Sequence, residues 1–217
     1  MLYLTLRCHI EADSLPPEIA KQVKKAVSIL RSGGVIAYPT DTVYGLGALA
    51  ENERAVKRVF SLKKRPKNMP LPLLISDMAH LDELAATPGS LAWRLATIFW
   101  PGGLTLIVPA SKKVPNFIGG GNTVALRIPN DAVTLALIKD LGKPIVGTSA
   151  NITGRRAAMT AAEVKKCFGD KVDLVIDAGG RPGGIESTIV DITSDKTKIV
   201  REGAVSRAQL AKVCTVE

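Results

Sequence analysis

The chain has 217 residues, 46% of them apolar, enough to bury one sizeable core, and no run approaches the roughly 18 to 20 continuous apolar residues of a membrane-spanning helix. The formal charge of +9 points to anionic partners such as a nucleotide, a tRNA or a phosphorylated metabolite, while an aromatic content of only 4% leaves few stacking platforms and argues against a dedicated binder of single-stranded RNA. Cys8, Cys167 and Cys214 are odd in number and far apart, and His9 and His80 lack partners at metal-ligand spacing, which argues against a disulfide framework, a zinc site and a histidine-based triad.

Residues Met1 to Cys8 alternate as a strand does and lack the charged-then-apolar layout of a signal peptide, so a cytoplasmic location is expected. Ile19, Val23, Ala26, Val27 and Leu30 make one face of a helix that Gly33 closes. A buried strand over Val35 to Pro39 follows and empties into the hydroxyl-rich turn Thr40-Asp41-Thr42 and a glycine-rich connection. Asn52 is placed to cap a helix through Leu62, which leads into the basic cluster Lys63-Lys64-Arg65. Leu71 to Ser76 is expected to be a strand, at an edge or with a late start because of Pro72.

Farther along, a helix is expected over Leu91 to Phe99, broken by Pro101-Gly102-Gly103, and then a strand over Leu104 to Val108. Further strands are predicted at Thr123 to Ile128, Ile145 to Thr148, Leu174 to Ile176, Ser187 to Ile192 and Lys198 to Arg201. Helices at Ala132 to Leu141, Thr160 to Phe168 and Ser206 to Val213 fall between them. Helices interleaved with many short strands define an α/β (α+β) class with a mixed sheet, read as one domain over residues 1–217.

No phosphate-loop or dinucleotide fingerprint is present, and Gly45-x-Gly47 alone is a weak sign. What stands out is a set of polar groups at predicted strand ends. Lys63 and Arg65 could simply complement a helix dipole, worth about 0.3 to 1 kcal/mol. Arg127, inside Val124-Ala125-Leu126-Arg127-Ile128-Pro129, requires a paired anion, either an internal carboxylate or a carboxylate or phosphate of a ligand. Ser149 and Asn151, which follow a strand, and Ser187, which enters one, each have the alternative of capping a local turn. Taken together, hydroxyl-bearing strand ends and several cations read as one site for a small polar anion.

These segments, in wording and order, resemble the YrdC-like family of threonylcarbamoyl-AMP synthases. The matching pieces are Tyr38-Pro-Thr-Asp-Thr-Val-Tyr-Gly-Leu-Gly47, Lys63-x-Arg65-Pro66 with Pro70-Leu71, Trp100-Pro-Gly-Gly-Leu-Thr105, Thr123-Val-Ala-Leu-Arg127-Ile-Pro129, Thr148-Ser-Ala-Asn-Ile-Thr-Gly154 and Glu186-Ser-Thr-Ile-Val-Asp191. The resemblance implies a twisted mixed sheet flanked by helices, with a large basic concave cavity; the additional C-terminal domain of longer relatives is not expected, because the chain ends soon after Arg201-Glu202-Gly203. It further implies a nucleotidyltransferase that joins L-threonine, bicarbonate or CO2 and ATP, with Mg2+, into threonylcarbamoyl-AMP and pyrophosphate. A tRNA-modifying transferase complex would then use the product next to the anticodon, with weak tRNA or double-stranded RNA binding as a further expectation.

Carried over by position, Thr40, Thr42, Arg127 and Ser187 would hold threonine, and Lys63, Arg65, Thr123, Ser149, Asn151 and Arg201 would contact ATP. Lys63 and Arg65 would be the catalytic cations, because a carbamate and a phosphate repel each other unless positive charge lies between them. No metal is expected on protein side chains; Mg2+ would come with ATP. The chain departs from the family pattern at Leu73-Leu74, where many members carry a histidine, and over Gly154 to Thr160, where Ser-Pro-Thr is usual. The alternative is a YciO-like paralogue that binds nucleotide or RNA with little synthase activity.

Overall fold

The computed structural model describes residues 15–181 and 184–217; the strand expected at Met1 to Cys8 lies outside them. Helix α1 spans Pro17–Arg31, with proline in its first turn, where the missing N–H is no loss, and Val23, Ala26, Val27 and Leu30 buried. Gly33, at a φ of 81°, takes the left-handed conformation that lets the chain turn straight into strand β1, Val35–Tyr38. Strand β2, Gly45–Leu49, runs back antiparallel to β1, with Tyr38 paired to Gly45 and Ile36 to Gly47. Helix α2, Glu53–Lys63, is capped by the Asn52 side chain, which accepts from the Ala55 N–H at 2.9 Å.

The remaining elements, in chain order, are β3 (Leu73–Leu74), α3 (Ala79–Leu84), α4 (Ser90–Phe99), β4 (Leu104–Pro109), β5 (Thr123–Arg127), α5 (Ala132–Leu141), β6 (Ile145–Ser149), α6 (Ala161–Phe168), β7 (Leu174–Val175), β8 (Thr188–Asp191), β9 (Lys198–Arg201) and α7 (Arg207–Ala211). Among the described residues one sheet takes in every strand, in the order β7-β1-β2-β6-β3-β5-β4-β8-β9. It is mixed and mainly antiparallel: β1 with β7, β3 with β5 and β4 with β8 run parallel.

Side chains alternate across a strand, so the register divides the sheet into two faces. Leu46, Val146, Leu73, Leu126, Leu106 and Val190 point to one face and build the larger core with Val56 and Val59 of α2, Leu95 of α4 and Val164 of α6. On the opposite face Ile36, Tyr38, Ile145 and Leu74 form a smaller core with α1 and with Val133, Leu137 and Leu141 of α5. That second core stops at Leu74. Farther along the same face the register brings Arg127, partner of Leu74, then Thr105, then its partner Ile189, then Arg201 opposite Ile189. These four line a cavity.

Three local departures from the sequence expectation have simple causes. The glycine-rich connection after Thr42 is a full strand, because the Tyr38 ring lies across it: a Cβ on Gly45 would stand 2.7 Å from Tyr38 Cε2, and one on Gly47 would collide with the Val146 carbonyl. The expected strand Leu71 to Ser76 shrinks to Leu73–Leu74, since Pro72 has no N–H to donate, although its carbonyl still accepts from Gly147 N–H at 2.8 Å. Helix α3, six residues long, is too short for a readable apolar period. Among the described residues no helix is long and apolar enough to cross a membrane.

Candidate active site

The cavity, about 660 Å³, opens on the face that the second core leaves bare. Its floor is the row of strand residues just described, and its walls are the Thr40–Thr42 turn, the α2 C-terminus, the loop after β6 and the segment entering β8. Nine of the ten residues singled out from sequence line it: Thr40, Thr42, Lys63, Arg65, Arg127, Ser149, Asn151, Ser187 and Arg201. Thr123 does not. It starts β5, at the opposite end of that strand from Arg127, and its hydroxyl donates to the Gly120 carbonyl at 2.9 Å.

The hydroxyl turn is self-supporting. Thr40 Oγ1 donates to Val43 O at 2.6 Å, accepts from the N–H groups of Thr42 and Val43, and lies 3.0 Å from Thr42 Oγ1. Arg127 closes over this turn. Its Nη1 and Nη2 both donate to Thr42 Oγ1 at 3.3 Å, its Nε donates to Gly102 O at 2.9 Å, and Nη2 meets Asp41 Oδ1 at 2.6 Å. Of the two anions the sequence left open for Arg127, the one in this structure is internal. Arg127 is buried and Asp41 nearly so, which makes the pair hard to break without a replacement anion.

Lys63, the last residue of α2, is 1% exposed. Its ammonium donates to Ser149 O (2.5 Å), Asn151 O (3.0 Å) and Asn151 Oδ1 (2.9 Å). All three donors thus go to the strand end after β6, and the charge reaches the cavity at close range with its position fixed. Burial pushes the Lys63 pKa down to about 8, and the positive charge of Arg65 adds to the effect. Ser149 Oγ donates to Asn151 Oδ1 at 2.7 Å, and Asn151 Nδ2 donates to Arg155 O at 2.5 Å, so this asparagine shapes the loop that carries Arg155 and Arg156. Arg65 is held by the Met69 and Pro70 carbonyls at 3.0 and 2.9 Å.

Across the cavity Arg201 donates to Glu186 Oε2 at 2.5 Å and to Ser187 O at 2.9 Å. Ser187 Oγ in turn lies 2.9 Å from Thr105 Oγ1. Six cations and two carboxylates line the cavity, so its field favours an anion even with the internal ion pairs in place. The side chains of Arg155 and Arg156, unlike those of the other four cations, have no hydrogen-bond or ion-pair partner among the described residues.

Sequence reasoning missed Asp41, Thr105, Glu186, Tyr38, Thr153 and the two loop arginines. Thr105 was within reach: it is the polar member of Leu104-Thr105-Leu106, and strand alternation turns it away from the larger core, which buries both leucines. Glu186 and Asp41 stand beside residues that were chosen: Asp41 pairs with Arg127, 86 positions away, and Glu186 with Arg201, 15 positions away across the β8–β9 pair.

The cavity residues fall within a region that matches a family model, Sua5/YciO/YrdC, described as "Telomere recombination", over residues 28–203. Threonylcarbamoyl-AMP synthases from Pyrococcus abyssi and Bacillus subtilis are 40% and 37% identical over 193 and 194 residues, 88% of this chain in each case. The chain spans little more than half of their length, 57% and 56%. Among solved structures, P. abyssi Sua5 complexed with L-threonine superposes with a TM-score of 0.88 at 38% identity, covering 94% of this chain and 61% of that one. E. coli YciO superposes with a TM-score of 0.80 at 31% identity, covering 88% and 92%.

Proposed function

The chain belongs to the Sua5/YciO/YrdC family, and from that membership and its cavity we propose that it is an L-threonylcarbamoyladenylate synthase supplying tRNA modification in the cytoplasm. The observation that carries the reading is one cavity that combines the hydroxyl and arginine groups of Thr40, Thr42, Arg127 and Ser187 with the cations Lys63, Arg65 and Arg201. The first group suits an amino acid and the second a triphosphate.

In this reading the threonine carboxylate takes the place of Asp41 on Arg127, a planar fork that matches two oxygens. The amine, carbamoylated by bicarbonate or CO2, becomes the nucleophile, and a carbamate oxygen attacks the α-phosphorus. The new O–P bond forms as the α–β phosphoanhydride breaks, and the electron pair leaves with pyrophosphate. The chain supplies no covalent group. Lys63, Arg65 and Arg201 hold positive charge where two anions must meet, and their internal partners fix it before the ligand arrives.

In this reading magnesium comes with the nucleotide. Carried on the phosphates, it would offset part of their charge. The tRNA-modifying transferase that consumes the product would be a separate partner.

The test is incorporation of labelled bicarbonate into an acid-labile adenylate by the purified protein with ATP and Mg2+, comparing L-threonine with no amino acid. Threonine-dependent product with equivalent pyrophosphate supports the synthase. ATP binding without product would replace it with the YciO-like reading.

A further inference from the structure

Buried polar atoms almost always have a hydrogen-bond partner, so those that lack one call for an explanation. Among the described residues four side-chain atoms are in that state: Tyr38 Oη, His80 Nδ1, Thr153 Oγ1 and Arg181 Nε. Tyr38 and Thr153 line the cavity, and Tyr38 is 0% exposed. Its ring crosses β2 over Gly45 and Gly47, and its hydroxyl reaches β6 beside Gly147. A Cβ on Gly147 would lie 2.9 Å from Tyr38 Oη and 2.5 Å from Leu74 Cγ. The hydroxyl and the Leu74 side chain therefore stand side by side on the cavity floor, in the space that a side chain at Gly147 would otherwise take.

The corner so formed is half apolar and half hydrogen-bonding. Leu74 is paired in register with Arg127, so the corner lies one strand spacing, roughly 4.8 Å, from the strand that carries the guanidinium. A carboxylate aimed at it would exchange full hydration for a single donor, and an ammonium would face Arg127 with no carboxylate at the corner. A CH(OH)CH3 group satisfies both halves. Burial also keeps the phenol protonated, against the pull of the Arg127 charge, so the hydroxyl stays available as a donor.

We propose that Tyr38 is a specificity-determining residue: its hydroxyl donates a hydrogen bond to the side-chain hydroxyl of the bound amino acid while Leu74 seats the methyl group. The inference rests on the synthase reading and deepens it. It predicts that the protein separates threonine from L-2-aminobutyrate, which lacks only the hydroxyl, more sharply than a pocket that merely fits the shape.

The experiment compares wild type and Tyr38→Phe in the bicarbonate assay with L-threonine and L-2-aminobutyrate. The variant should lower kcat/KM for threonine about 10- to 100-fold, the range expected when a buried hydroxyl loses its partner, mainly through KM. Values for 2-aminobutyrate and the KM for ATP should hold. An equal fall for both amino acids marks a merely structural tyrosine, and an unchanged threonine KM marks an idle one; either overturns the proposal.

Should Tyr38→Phe fail to fold, wild type carrying ¹³Cζ-tyrosine provides the readout. Threonine must shift the Tyr38 resonance and 2-aminobutyrate must not; any other pattern overturns the proposal. A wild type that neither makes a threonine-dependent adenylate nor binds threonine removes the synthase reading itself, and this inference falls with it.

Discussion

Lys63 makes the proposed chemistry sensitive to pH in a window where few other groups would. In the unfolded chain a lysine holds its proton to about 10.5, whereas burial brings Lys63 down to about 8. If only the ammonium form binds nucleotide, the apparent dissociation constant rises by the inverse of the protonated fraction, about elevenfold at about pH 9 and nearly nothing at about pH 7. Calorimetric titration of ATP into the protein without threonine isolates this step from titration of the substrate amine. The control is Lys63→Arg, which cannot lose its proton in this range and should bind ATP with a flat profile. The neighbouring groups that share its field, Arg65, Glu186, Cys167 and Arg201, are all retained in that variant. A flat wild-type profile, or the same fall in Lys63→Arg, would refute the argument by placing the titration elsewhere.

The same shift has a stability counterpart: between about 8 and 10.5 the unfolded chain binds more protons at this site than the folded one, so stability should rise with pH across that window. Its full amplitude is about 3 kcal/mol, read as a rise in denaturant midpoint that Lys63→Arg lacks. Arg127→Lys should raise the threonine KM by at least tenfold and lower the melting temperature, because it removes the donors to Gly102 and Thr42 and weakens the hold on Asp41; a near-wild-type KM would end the carboxylate role. Asp41→Ala should lower the melting temperature of the empty protein while enlarging the stabilisation that saturating threonine confers, measured by thermal shift; an equal or smaller threonine shift would mean that the carboxylate does not take Asp41's place. Replacing Arg155 and Arg156 together with alanine should weaken ATP binding with little change in melting temperature, since no partner among the described residues loses them; unchanged ATP affinity would leave them as plain surface charge.

Much of the architecture was legible because the sequence states it locally. Apolar spacing in α1, the Asn52 cap and the run Leu104 to Val108 each announce an element within a dozen residues. Strand β2 was hidden, since Gly45 and Gly47 read as loop until the Tyr38 ring that needs their bare surface is seen. The site follows the same division. Lys63, Arg65, Arg127, Ser149, Asn151, Ser187 and Arg201 could be named from polar residues at strand ends, but the pairs that hold them could not. Asp41 with Arg127 joins residues 86 positions apart, and Lys63 reaches Asn151 across 88; only the sheet order brings those segments together. Thr123 is the one residue singled out from sequence that lies away from the cavity, at the other end of the strand that carries Arg127.

The internal partners of the cavity cations bear on turnover. An empty pocket with naked charges would bind its substrates with the whole strength of each new contact and would release products slowly. Here a carboxylate arriving at Arg127 displaces Asp41, and a phosphate approaching Arg201 competes with Glu186. Each association is thus an exchange of one anion for another, and its free energy is the difference between two similar interactions. The outgoing anions stay tethered nearby, ready to return when the product leaves. Such a site trades tight capture for quick emptying, which in the proposed synthase would favour release of the adenylate.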